Sequence, residues 1–254
     1  MNKPFLSVII PAYNEAKRLP STLVDIDKYL STVEYSYEIL VVNDGSKDNT
    51  AEIVRKMSAT IKNLKVVDNP VNRGKGAVVH DGMLIAKGNY RLFMDADNST
   101  SIDQVEKMLP LFKDGVDVVI GSRAIKGAKL EPPEPIYRQI PGKLGNLLIQ
   151  LLLLPGIWDT QCGFKAFSEE TAEDVFRYMK ITGWGFDIEA LALSKKLGYV
   201  IKEIPVRWVN EAEGSKVGMS AYLKVLVETF KIRLWLWMGK YPIPAKIDKK
   251  TIKN

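Results

Sequence analysis

From Leu6 to Ser122 the chain alternates short, continuous apolar runs with segments whose apolar residues recur every three to four positions. The runs LSVIIP (6–11), YEILVVND (37–44), LKVVDN (64–69), YRLFMD (90–95) and VDVVIGS (116–122) are rich in β-branched residues. Continuous rather than alternating hydrophobicity predicts strands buried on both faces. Between them the helical period predicts helices over about Ala16–Leu30, Thr50–Ile61, Lys75–Ala86 and Ile102–Phe112. Strands that alternate with helices give an α/β fold, with a Rossmann-like, doubly wound, mainly parallel sheet and helices on both faces. Ser101 followed by Gln104 has capping-box spacing, which places a helix start just after the fourth strand's loop.

Two further apolar stretches have a different character. LGNLLIQLLLLPGIW (144–158) is too short to span a bilayer and is ended by Pro155 and Gly156. It reads either as a buried helix or as one lying in a membrane interface. YLKVLVETFKIRLWLWMGKYPIPAKIDKKTIKN (222–254) mixes Trp235, Trp237 and aliphatic residues with Lys224, Lys231, Arg233 and Lys240, and its tail is basic. Trp beside Lys and Arg is the composition of an interfacial helix, and a docking or dimerising helix is the alternative.

Composition adds bounds. The 254 residues are enough for a full core, and 46% hydrophobic with 26% charged residues is the balance of a globular chain. A single cysteine, Cys162, excludes an intramolecular disulfide and fits a reducing compartment. With His80 as the one histidine, a zinc site is disfavoured. The net charge of +6 favours anionic partners: nucleic acid, phosphorylated metabolites or an acidic membrane. The first residues, MNKPFLSVIIP, hold too short an apolar run for a signal peptide, so the expected location is the cytoplasm.

In doubly wound sheets ligands bind outside the carboxyl ends of the strands. The loops expected there are PAYNE, VNDGSKDNT, NPVNRGKG and MDADNST. They bring Asn14, Glu15, Asp44, Arg73 and Lys75 to the edge that holds Asp95 and Asp97. Two carboxylates one residue apart repel unless a cation lies between them and something else, and their hard oxygens suit Mg²⁺ or Mn²⁺. Taken alone the aspartates read first as a solvated turn leading into the helix that follows; with their neighbours they read as a nucleotide diphosphate site with a metal. NRGKGAVV is not a Walker loop, because Asn69 and Gly76 stand where Gly and Ser or Thr are required. Lys75 instead serves as a point charge for phosphate, with Gly74 and Gly76 permitting close backbone approach. No GxGxxG follows the first strand, which disfavours a dinucleotide site.

In order along the chain, SVIIPAYNEAKRLPSTL, EILVVNDGSKDNT, NRGKGAVVHDGM, RLFMDADNST, IGSR, DTQCGFKAF and WGFDIEAL resemble family 2 glycosyltransferases of the GT-A fold. Within these they resemble the polyprenyl-phosphate sugar transferases, above all the dolichyl-phosphate glucosyl and mannosyl enzymes. The resemblance runs from about Leu6 to Lys216. It implies a catalytic domain over 1–218, with a nucleotide-sugar-binding half at 1–122 and an acceptor-binding half at 123–218. Residues 219–254 are then a basic, amphipathic, membrane-associating segment. By the resemblance, Pro11, Tyr13, Glu15 and Asp44 hold the base and ribose of the donor, with Lys75 and Gln161 also on the donor side. Asp97 is a direct metal ligand, and Asp95 lies nearer the ribose or metal. The mannosyl enzymes' DADLQ pattern adds a Gln ligand where this chain has Ser99.

A polyprenyl phosphate is already an anion at neutral pH, so it needs cations to place it rather than a base. Arg123, Arg138, Ser215 and Lys216 are the candidates. Arg138 reads equally as a surface arginine in a Pro-rich loop. Asp187 and Glu189 fit positioning of the sugar or helix, and Asp159 and Gln161 fit either sugar recognition or loop support. The implied reaction is inverting transfer of a hexose to dolichyl-type phosphate at the cytoplasmic membrane face, catalysed by Asp95, Asp97 and Arg123, with no nucleic-acid partner. The mannosyl enzymes' RxxGxSK pattern puts an arginine where Asn210 stands, which favours UDP-glucose over GDP-mannose. Readings from other classes are a nucleotidyltransferase, disfavoured by PAYNE after the first strand, and a non-catalytic peripheral membrane module, which leaves Asp95 and Asp97 unexplained.

Overall fold

The first four strands, β1 (Leu6–Ala12), β2 (Tyr37–Asp44), β3 (Leu64–Asn69) and β4 (Tyr90–Met94), are parallel and hydrogen-bonded in the order β3-β2-β1-β4. The computed structural model describes residues 3–133, 136–209 and 219–243. Next to β4 lies β7 (Phe164–Ser168), antiparallel both to it and to β5 (Val118–Ser122); β8 (Ile201–Pro205) closes the sheet parallel to β5. The seven-stranded order is β3-β2-β1-β4-β7-β5-β8, and β6 (Lys129–Glu131) pairs with β9 (Arg207–Val209) as a separate ribbon.

Alternate residues of each strand feed two cores, as the pleat requires. Val8, Ile10, Ile39 and Val41 pack on one face with α1 (Leu19–Leu30), α2 (Thr50–Met57) and α4 (Leu109–Lys113). Ile9, Leu40, Val42 and Phe93 pack on the other with α3 (Lys75–Ile85), α6 (Glu169–Tyr178) and α7 (Phe186–Leu197). α5 (Ile136–Leu152) and α8 (Met219–Trp237) contribute Ile149, Val225 and Ile232 to this second core. They also pack on each other.

Two local expectations differ from the structure. The helix expected over Ile102–Phe112 is a 3-10 turn, Ile102–Lys107, followed by the short α4, which carries Pro110 in its first turn. A proline there lacks the N–H that would continue the preceding hydrogen-bond ladder. The capping box does not form: Ser101 makes no side-chain cap and bonds Asp103 instead, while Gln104 bonds Asp103 and accepts from Lys107.

The end of the sheet away from the polar loops is pinned by Arg91 of β4, which is 2% exposed. Its guanidinium donates to the Met83 carbonyl at 2.7 Å and to Glu173 of α6 at 3.0 Å. Replacing it orphans a buried carbonyl and opens a cavity. Arg91→Ala is expected to cost about 3 kcal/mol of stability, read as a lower urea midpoint with unchanged slope. A midpoint equal to wild type would show that these contacts stabilise nothing.

Candidate active site

The loops that leave β1, β2, β3 and β4 converge at one edge, and the antiparallel β7 brings its preceding loop, 158–163, to the same edge. The β1 and β2 loops are stitched together. Asn14, at a left-handed φ of 54°, donates its N–H to Ser46 Oγ at 2.9 Å, and its Oδ1 accepts from Lys47 N at 2.8 Å. Asn tolerates that φ better than most residues because its short amide bonds nearby backbone. Glu15 is buried, with both carboxylate oxygens on Arg18 at 2.7 and 2.8 Å, and its N–H donates to Thr50. Pro11 is buried in β1, and Tyr13 stands half-buried just beyond it. Asp44 is also buried. It accepts the backbone N–H groups of Arg73 at 2.7 Å and Gly74 at 3.0 Å, so its carboxylate shapes the loop that carries Lys75.

Gly74 has φ 97°, and a Cβ there would lie 2.5 Å from the Thr182 carbonyl oxygen. Only glycine fits that conformation and that approach. The Gly76 N–H donates to the same carbonyl at 2.9 Å, so the Lys75 loop lies directly on the segment 181–185.

Lys75 projects from the first residue of α3 onto Asp95 Oδ1 at 2.5 Å, with the Trp184 and Phe186 rings 5.6 and 5.9 Å from its ammonium. Burial pushes an ammonium towards neutrality, but the carboxylates of Asp95 and Asp187, with a contribution from Asp97, outweigh it and hold the Lys75 pKa above its ordinary value. Lys75 is therefore a fixed positive charge at neutral pH. Behind it Lys165 of β7 is fully buried, donating to Asp187 Oδ1 at 2.6 Å and to the Cys162 carbonyl at 2.5 Å. Two cations and two anions thus alternate beneath the site.

Asp95 N–H donates to the Gly163 carbonyl at 3.0 Å, and a Cβ on Gly163 would fall 2.0 Å from Asp95 Oδ2. Glycine at 163 is the cradle for that carboxylate. Asp97 is half-buried and accepts the Ser99 N–H at 3.0 Å. Among the described residues no cluster of three or more His, Cys, Asp or Glu side chains forms a metal cage. Mg²⁺ and Mn²⁺ are commonly held by one or two carboxylates together with substrate phosphates, and the two hard carboxylates at 95 and 97 fit that kind of site.

Arg123 follows β5 and pairs bidentately with Asp159, Nε to Oδ2 at 2.8 Å and Nη2 to Oδ1 at 3.0 Å, while its own N–H donates to Oδ2 at 2.9 Å. Burial pushes the Asp159 carboxyl up, but the Arg123 charge and hydrogen bonds outweigh that and hold it below the usual carboxylate range. The Asp159 N–H and the Trp158 N–H donate to Glu203 of β8, fixing the loop. Gln161 is exposed on the same loop. Cys162 is buried and its thiol is pushed up to about 12, chiefly by burial, so it is an inert core residue.

The structure brings together Pro11, Tyr13, Glu15, Asp44, Lys75, Asp95 and Asp97 on one edge, with Arg123 and Gln161 on the adjoining loops. Arg138 falls in the first turn of α5 and its side chain lies outside the described residues, as do Ser215, Lys216 and Asn210. Two contributors escape the sequence reading: Lys165, hidden within an apolar strand, and Glu228 of α8. Glu228 Oε2 accepts the Gly185 N–H at 2.6 Å and buttresses the segment behind Lys75. A lysine in an otherwise apolar run was the one available signal for the first; nothing local marks the second.

The fold is shared with the glucosyl-3-phosphoglycerate synthase of Mycobacterium tuberculosis solved with UDP (18% identity, TM-score 0.68, 91% of this chain and 80% of that one). It is shared too with the mannosyl-3-phosphoglycerate synthase of Rubrobacter xylanophilus (16%, TM-score 0.69, 99% and 80%). The mycobacterial synthase has also been solved with Mn²⁺, UDP-glucose and phosphoglyceric acid. In sequence, the chain is 38% identical over 257 residues to the dolichyl-phosphate beta-glucosyltransferase of Dictyostelium discoideum, covering 95% of this chain and 77% of that one. It is 34% identical over 248 residues to the human protein of that name, covering 92% and 72%. Residues 7–176 match glycosyl transferase family 2. The chain belongs to that family, and it is a GT-A glycosyltransferase that moves a sugar from a nucleotide-sugar donor.

Proposed function

We propose that this enzyme transfers glucose, with inversion, from UDP-glucose to a dolichyl-type polyprenyl phosphate at the cytoplasmic face of a membrane. The observation that carries this reading is the near full-length likeness to dolichyl-phosphate beta-glucosyltransferases. The site's chemistry supports it. Pro11, Tyr13, Glu15 and Asp44 line the uridine side, and Lys75 offers its ammonium to the diphosphate. Asp97, with Asp95, would hold Mg²⁺ or Mn²⁺, which when bound to the diphosphate stabilises the charge that develops on departing UDP.

On the acceptor side no group must remove a proton, because the attacking phosphate oxygen is already anionic. Placement is the task left to the protein. Arg123, held in one orientation by Asp159 just after β5, is the placed cation on this side, and Arg138, Ser215 and Lys216 complete the acceptor set. Arginine suits phosphate because its planar fork matches two oxygens at once.

The membrane reading, with 219–254 as the associating segment, is supported by the outward faces of α5 and α8. Leu144, Leu147 and Leu151 are exposed one above another on α5, and Leu223, Val227, Phe230, Leu234 and Trp237 form a stripe along α8. The inner faces of both helices are core. Among the described residues no helix is long and apolar enough to cross a bilayer.

Asp97→Ala is expected to lower turnover of UDP-glucose with dolichyl phosphate at least a hundredfold, because ion stabilisation of a leaving group is worth several kcal/mol. Lys75→Ala is expected to raise KM for UDP-glucose more than tenfold. Both are read as glucosyl-lipid formed per minute, and unchanged turnover in Asp97→Ala would contradict the proposal. The Arg123–Asp159 pair makes a separate prediction. The folded Asp159 pKa lies below the unfolded value of about 3.9, so its contribution to stability is full above that pH and is lost as pH falls below it. Asp159→Asn is expected to flatten the acid limb of a urea-midpoint profile between about pH 5 and 2.5. A profile parallel to wild type would refute the pairing.

A further inference from the structure

Away from the reaction centre, a cavity of about 220 Å³ opens between the end of α5, the last turn of α7 and the outer side of α8. Its lining combines Lys195, Lys196 and Arg233 with Leu153, Leu236 and Trp237, and among the described residues no carboxylate lines it. All three cations are exposed, and none makes an ion pair with another described residue. Trp237 of the lining is 80% exposed, and the exposed Leu151 (76%), Leu234 and Met238 lie within two residues along the chain of lining residues Leu153, Arg233 and Trp237.

Three cations with no ion-pair partner among the described residues, around a small cavity that an exposed Trp lines, match one chemistry at two depths. The cations suit a phosphodiester headgroup, and the rim suits the start of its acyl chains. We infer that this cavity is a binding site for the headgroup of an anionic phospholipid, through which α5 and α8 dock on an acidic leaflet. The inference rests on the membrane reading given above and names the lipid chemistry it requires.

The cavity is distinct from the Lys75–Asp95 cluster, which Asp187 adjoins. Lys196 follows Asp187 by nine residues of the same helix, which is roughly 13 Å of helical rise. A lipid held there anchors the enzyme without occupying the space in which a phosphate meets the donor. The continuous apolar stripe of α8 supplies non-specific burial, and the cavity adds selection for negative charge.

The test is sedimentation of the full chain with vesicles of phosphatidylcholine alone or of phosphatidylcholine with phosphatidylserine, without UDP-glucose or acceptor. Failure here is therefore separate from failure of the glucosyl-transfer reading. Wild type is expected to bind the mixed vesicles preferentially. The triple variant Lys195→Gln, Lys196→Gln, Arg233→Gln is expected to lose affinity on the order of a hundredfold, at about 1 kcal/mol per basic residue. It should keep the thermal midpoint and the turnover of detergent-solubilised acceptor. A control with equal charge loss elsewhere, Lys62→Gln, Lys87→Gln, Lys113→Gln, is expected to bind nearly as wild type. Equal binding of wild type to both vesicles, or equal loss in both triple variants, would overturn the inference. So would a dimer in vesicle-free buffer that the first triple variant dissociates, since that would assign the face to a second copy of the chain.

Discussion

The alternating charges Asp95, Lys75, Asp187 and Lys165 are the constraint around which the site is built. Lys165 has no access to water, and an unpaired buried charge costs about 3–5 kcal/mol, so Asp187 must stay against it. That requirement fixes the start of α7 against β7. β7 is in turn hydrogen-bonded to β4, with Lys165 in register with Phe93, two residues before Asp95. Lys75 then sits within the field of both carboxylates and turns its ammonium to Asp95. On the proposed reading, a donor diphosphate would meet a cation already in position and carboxylates already at the strand end. Little reorganisation is left for the binding step, which is the physical content of preorganisation.

Glycine makes the arrangement possible at two places. At 163 the absent side chain leaves room for the Asp95 carboxylate, and at 74 it lets the Lys75 loop rest on the Thr182 carbonyl. Segment 181–185 is in turn held from outside by Glu228 of α8. The helix whose outer face is apolar and exposed thus touches, through one carboxylate, the backbone that supports Lys75. The exposed apolar face of α8 and the Lys75–Asp95 cluster are parts of one packed layer.

The parallel half of the sheet was legible because β1, β2, β3 and β4 are buried on both faces and so are continuously apolar. The same property placed Asp44, Lys75, Asp95 and Asp97 at one edge before any coordinates. β7 was not legible as a strand inserted between β4 and β5, since FKAFS is short and its lysine interrupts the apolar pattern. The carboxylate that accepts from its buried lysine, Asp187, lies more than twenty residues away, and no local pattern reports that. Arg123 was found as a cation but not as half of a bidentate pair, because Asp159 is brought to it only by the reversal of chain direction at β7. For the two apolar stretches the sequence posed a choice between core and lipid; the structure gives each helix one buried face and one exposed.

The reaction assigned to this site is tested most directly by a donor competition. Purified enzyme, dolichyl phosphate in detergent and Mg²⁺ or Mn²⁺ would be given equal UDP-glucose, GDP-mannose and UDP-N-acetylglucosamine, with a chelator control, and both the lipid product and the released nucleotide identified by mass spectrometry. The account predicts a chelator-sensitive hexosyl phospholipid accompanied by UDP. A hexosyl lipid accompanied by GDP would contradict the donor, and no sugar lipid from any donor would contradict the acceptor.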